Sequence, residues 1–72
     1  MTHIHYYVVP ELDHWMIVRA ERRFGPYMNR SEAQEAAIDM ASDDYRDGKD
    51  AAVNVQDRRG RWAQGQTYAH AH

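Results

Sequence analysis

From Ile4 to Pro10 the chain reads Ile-His-Tyr-Tyr-Val-Val-Pro. Branched and aromatic side chains of this kind suit a pleated strand. Pro10 lacks a ladder donor, so it marks the strand's end or an edge. Glu11-Leu12-Asp13-His14 reads as a short polar turn, and Trp15 to Arg19 as a second strand, so loop length alone predicts a hairpin. Gly25-Pro26 is a strong breaker, which makes Arg22 to Arg30 a predicted loop.

A helix follows. Ser31 is the expected N-cap, with Gln34 three residues on completing a capping box. Glu32 and Glu35 put negative charge where the helix dipole is positive. Ala33, Ala36, Ala37, Met40 and Ala41 recur at three- and four-residue spacing, widened by Ile38 and Tyr45, and predict a buried stripe that lies close over a sheet. Glu35, Asp39, Asp43 and Asp47 fall on the solvated side. Gly48 is a natural terminator, with Arg46 and Lys49 near the negative end. Beyond it Ala51, Val53, Val55 and Asp57 alternate with Ala52, Asn54 and Gln56, the period of a half-buried strand. Asp57-Arg58-Arg59-Gly60 predicts a turn, and Arg61 to Tyr68 a weaker fourth strand around Trp62. Residues 69–72 are expected to fray. The expected architecture is α+β, ββαββ: an antiparallel sheet of about four strands with one helix packed on one face. It forms a single domain over residues 1–72, with an ordered core of about residues 4–68.

Length and composition narrow the choices. Seventy-two residues give room for one domain. A chain this short buries only about 60% of its unfolded surface, and usually needs a disulfide, a metal, unusually good packing or self-association. With no cysteine, disulfides and thiolate zinc sites are excluded. No targeting segment is read at the N-terminus, and no apolar run approaches the ~20 residues of a membrane span, so a cytoplasmic location is expected. Asn29-Arg30-Ser31 matches a glycosylation sequon, set aside for want of a secretion signal. The net charge of −2 hides an asymmetry: residues 31–50 hold seven acids against Arg46 and Lys49, while the rest of the chain holds seven arginines against four acids.

The motifs together resemble a family of small bacterial proteins, the domain of unknown function family 2188. The likeness rests on Tyr6-Tyr7-Val8-Val9-Pro10, Trp15-Met16-Ile17, Ser31 to Ala37, Val53 to Gly60 and Tyr68. It departs from the family pattern at the first turn, where Leu12-Asp13-His14 replaces a glycine-rich stretch, and at Trp62, where an aliphatic residue is usual. The resemblance implies a bacterial protein of this fold and implies no chemistry.

For function the first clue is surface. Ile4, Tyr6 and Val8 alternate with His3, His5, Tyr7 and Val9, and Met16 and Val18 with Trp15 and Ile17; neither strand has a clean polar face. One helix covers one side of a sheet, and contiguous apolar area marks an interface. Tyr7, Val9, Trp15, Ile17 and Trp62 are the residues expected on the uncovered face, unless Phe24 to Met28 folds back over it. A non-enzymatic module for protein association, with itself or another protein, is the resulting expectation. The alternative is a nucleic-acid accessory protein using Arg22, Arg23, Arg58, Arg59 and Arg61, though such domains usually carry an overall basic balance. The same arginines and the acidic helix are also self-complementary, a feature of two-fold assemblies. His3-x-His5 and His70-x-His72 have metal-ligand spacing, but no closed ligand set is evident. Ser31 and Ser42 have structural roles, and His14 beside Asp13 and Glu11 sits at a turn with no pocket. No catalytic motif, cofactor, membrane or small-molecule substrate is expected.

Overall fold

A computed structural model of the chain describes residues 3–70. Strands β1 (His3–Glu11), β2 (His14–Arg19) and β3 (Arg22–Tyr27) form an antiparallel meander, helix α1 (Arg30–Arg46) follows, and β4 (Asp50–Gln56) and β5 (Trp62–Tyr68) close the chain. The sheet has five strands in the order β3-β2-β1-β4-β5. The α+β class and the single helix agree with the sequence; the four antiparallel strands do not. Residues 22–27, expected as a loop, form an edge strand, and β1 pairs with β4 in parallel, Tyr6 opposite Val53 and Val8 opposite Val55.

The two corrections have one cause. Gly25-Pro26 does not end the strand: between Trp15↔Tyr27 and Ile17↔Phe24 the register shifts, so two residues oppose Met16 in a bulge. An edge strand loses no ladder bond to a proline that faces outward. Arg19↔Arg22 closes the β2–β3 turn, with Ala20 at a φ of +52°. An extra strand reverses the direction in which the chain enters the helix. The helix then returns it to the start of β1, and β4 must run alongside β1 in the same sense.

α1 starts two residues earlier than the sequence suggests. Asn29, not Ser31, is the N-cap, and its side-chain oxygen accepts from the Glu32 N–H at 2.8 Å. The expected stop at Gly48 is correct. Gly48 has a φ of +88°, its N–H donates to the Tyr45 carbonyl, and the Lys49 N–H to that of Asp44, the paired bonds of a Schellman termination.

The core lies between α1 and one face of the sheet. Ile4, Tyr6 and Val8 from β1, Trp15 and Ile17 from β2, and Ala51, Val53 and Val55 from β4 meet Ala33, Ala37 and Ala41 of the helix. Those three alanines are fully buried, which lets the helix backbone approach the two central strands. Phe24, Tyr27 and Tyr68 extend the core to both edges. The phenol of Tyr6 donates to the carboxylate of Asp44 in the last turn of α1, and the Arg19 guanidinium lies over its ring at 5.6 Å. Burial first, then that hydrogen bond, pushes the Tyr6 phenol up to about 12. No helix among the described residues is long and apolar enough to cross a membrane.

Candidate association surface

The two-residue turn Leu12-Asp13 pairs Glu11 with His14, and this register carries Pro10 to Trp15, Val8 to Ile17 and Tyr7 to Val18. Residues opposite one another point to the same side of a sheet. Trp15 and Ile17 therefore join Val8 beneath the helix, 7% and 0% exposed. This overturns their expected place on the uncovered face. Their neighbours Met16 and Val18 hold that place, beside Tyr7 and Val9, which lie there as expected, all four half-buried. Phe24 to Met28 does not fold back over it: Phe24 and Tyr27 pack on the core, and Met28 is exposed.

On the open face an aromatic row crosses the sheet. The Tyr7 ring meets Trp62 edge-on at 5.5 Å and lies nearly parallel to His5 at 6.2 Å. Trp62, opposite Gln56 at the start of β5, remains 53% exposed. Aromatic pairs in edge-to-face geometry hold each other in place beyond their burial, so the row is presented rigidly. Ala52, Asn54 and Gln56 of β4 flank it.

Charge on this face is largely internal. The Arg23 guanidinium donates to the Glu11 carboxylate across β2, and that hydrogen bond, more than any other contact, holds the Glu11 carboxyl below its usual range. His14 stands 3.5 Å from Glu11 through Nε2 and 3.0 Å from Asp13 through Nδ1; its hydrogen bond is the main cause of a lowered Asp13 carboxyl.

The five arginines read as one contact set are not brought together. Arg23 is paired with Glu11. Arg58 lies over the Trp15 ring at 5.4 Å and donates to the Leu12 carbonyl at 3.2 Å, tying the β4–β5 turn to the β1–β2 turn. Arg22 opposes Arg19 at the far end of β3. Arg59 and Arg61 are exposed in the turn before β5. Of the histidines, His3 stands 3.8 Å from the buried Asp50 carboxylate. The His70 ring stacks on Tyr45 at 4.2 Å while the His70 backbone N–H donates to the Asp50 carboxylate; His72 and the end of the expected frayed segment lie outside the described residues. No group of three histidine, aspartate or glutamate side chains among the described residues is placed to hold a metal ion.

Sequence reasoning missed Met16 and Val18 here, and the signal was present. A turn of either two residues (Leu12-Asp13) or four (Glu11 to His14) sets Pro10 opposite Trp15 and Val8 opposite Ile17, and that pairing fixes which alternate set of β2 shares a face with Val8.

A family model described as "Uncharacterized protein conserved in bacteria (DUF2188)" matches residues 6–68. No curated protein and no solved structure matches the chain. The match runs from the first core tyrosine of β1 to the last residue of β5, and the chain belongs to this bacterial family, the domain of unknown function family 2188.

Proposed function

We propose that the domain is a non-catalytic association module that docks through its open sheet face onto the same face of a second copy. The observation that carries this reading is the asymmetry of the sheet. One face is sealed by α1, while the other presents Tyr7, Val9, Met16, Val18 and Trp62 with nothing of the described chain over them. A charge-balanced apolar face is self-compatible, because bringing two copies together opposes no net charge of like sign. Closed two-fold pairing is the commonest way such a patch is satisfied. It also offsets the small core of a chain of this length.

Sedimentation across a range of concentrations tests it. The expected result is a mass rising from 8.5 kDa towards twice that value, reversed in Val18→Lys with the circular dichroism spectrum unchanged. A mass that stays at 8.5 kDa into the millimolar range rejects the proposal.

One observation favours a second reading. Tyr7 and Trp62 on an open sheet face offer stacking surfaces of the kind that receive unpaired bases. The arginine nearest in kind, Arg23, is however engaged by Glu11, which weakens the phosphate attraction such sites depend on. A labelled oligonucleotide titrated at low salt decides the matter: binding there, lost in Trp62→Ala, would favour nucleic acid over self-association.

A further inference from the structure

On the helix side of the sheet, α1 packs mainly over β4 and β1 and leaves β5 lightly covered. The result is a groove of 440 Å³ between the first turns of α1 and the β4–β5 hairpin, lined by Arg30, Gln34, Val55, Asp57, Arg61, Trp62, Ala63 and Gly65. Its size falls in the usual range for small-molecule sites, about 300–1,000 Å³. Val55 and Ala63 face each other across the two strands and form an apolar floor. At its β5 border the two strands run close together: an added Cβ at Gly65 would come within 2.8 Å of the Val53 carbonyl.

Half of the chain's eight arginines have a side-chain partner among the described residues. Arg19, Arg23, Arg46 and Arg58 are engaged by an aromatic ring, a carboxylate or a carbonyl. The guanidiniums of Arg22, Arg30, Arg59 and Arg61 have no ion-pair, hydrogen-bond or ring partner among the described residues, and of these Arg30 and Arg61 come from different elements and border this groove. Asp57 does not neutralise them at close range. Its Oδ1 accepts from the N–H groups of Arg59 and Arg61 at 2.8 and 2.9 Å, and the Asp57 N–H donates to the Arg61 carbonyl at 2.8 Å. The turn is therefore braced, and the backbone that carries Arg61 is set before any ligand arrives, which lowers the ordering cost of binding.

We propose that this groove binds a small organic oxyanion, a carboxylate or phosphate headgroup on an apolar or aromatic body. The Arg30 and Arg61 guanidiniums hold the headgroup, since planar forks match both kinds of oxyanion. The body lies on Val55 and Ala63 with Trp62 at its rim, and the Gln34 amide supplies a further donor. Of the residues that line it, only Trp62 also belongs to the open face; Arg30, Gln34, Arg61 and Ala63 do not, and shifts at those residues test the groove independently of self-association.

Amide-resolved NMR titrations with phenyl phosphate, benzoate and inorganic phosphate, on the intact chain, provide the test. The expected result is saturable shifts centred on Gln34, Arg61 and Ala63, with at least one aromatic anion binding more tightly than inorganic phosphate. Whichever of phenyl phosphate and benzoate binds more tightly identifies the headgroup. Arg30→Gln and Arg61→Gln should each weaken binding about tenfold or more, whereas Arg22→Gln should leave it unchanged. Both groove arginines are exposed, so the amide spectrum should otherwise be preserved. Shifts that fail to saturate, that spread evenly over all arginines, that are as strong with inorganic phosphate, or that survive both substitutions would overturn the proposal.

Discussion

Tyr6 links core, helix and pH response. It is 2% exposed, and its phenol is satisfied by Asp44, itself 9% exposed, on the helix. Tyr6→Phe removes the donor and leaves a buried carboxylate without it. The expected cost is about 1–3 kcal/mol, read as a lower midpoint in chemical denaturation with an unchanged slope. The phenol's ordinary value near 10 is raised to about 12 in the folded protein. The neutral phenol is thus favoured by folding, and its contribution is complete below about pH 10 and lost as pH rises through about 12. It amounts to at most about 3 kcal/mol. Denaturation midpoints should fall over that interval in the wild type and fall less in Tyr6→Phe; equal slopes in the two proteins would remove Tyr6 as the cause. Glu11 acts in the opposite sense. Its carboxyl is held low by Arg23, so that contribution is present above the ordinary carboxylate range and lost as acid protonates the group. Little of this was legible beforehand. Tyr6 and Tyr7 are adjacent and chemically alike, and only the register of β1 against β2 decides which is sealed and which is displayed.

At the scale of elements, the sequence carried most of what is local and missed what depends on pairing. The Gly48 termination, the alanine stripe and the alternation of β4 follow from nearest-neighbour geometry and were readable. The strand at Arg22–Tyr27 was not, because Gly25-Pro26 is a breaker by composition and becomes acceptable only at the edge of a sheet with a bulge. The cap provides a direct comparison. Asn29→Ala should cost about 1 kcal/mol, since the Glu32 N–H loses its acceptor. Ser31→Ala, the residue that the capping-box pattern favours, should change stability by less than about 0.5 kcal/mol. Thermal melts of the two variants separate the possibilities, and the reverse order would restore Ser31 as the cap. Gly65 tests the β4–β5 contact in the same way. An alanine there would meet a carbonyl of the backbone, not the end of a flexible side chain. Gly65→Ala should therefore destabilise the protein by about 1–3 kcal/mol, with the largest amide shifts in Val53 and its neighbours.

For the whole molecule, the placement of charge separates two modes of assembly that the sequence left entangled. The carboxylates of Glu35, Asp39, Asp43 and Asp47 are exposed on α1, which covers the side of the sheet opposite the Tyr7–Trp62 row. An assembly that joined acidic helix to arginine-bearing turns would draw on opposite charges in water and weaken as salt screens them. An assembly through the open face would bury Tyr7, Val9, Met16, Val18 and Trp62, with Glu11 and Arg23 already satisfied within each copy. Its driving force is apolar burial, which added salt does not diminish and excluded salts such as sulfate strengthen. If the open face is the contact, the dissociation constant measured by sedimentation should stay level or fall between low and high salt. The thermal midpoint should also rise with protein concentration, because mass action stabilises an associating fold. Val18→Lys should abolish both effects, and Glu35→Gln neither. A dissociation constant that climbs steeply with salt, or a Glu35→Gln variant that dissociates, would move the interface from the sheet to the helix.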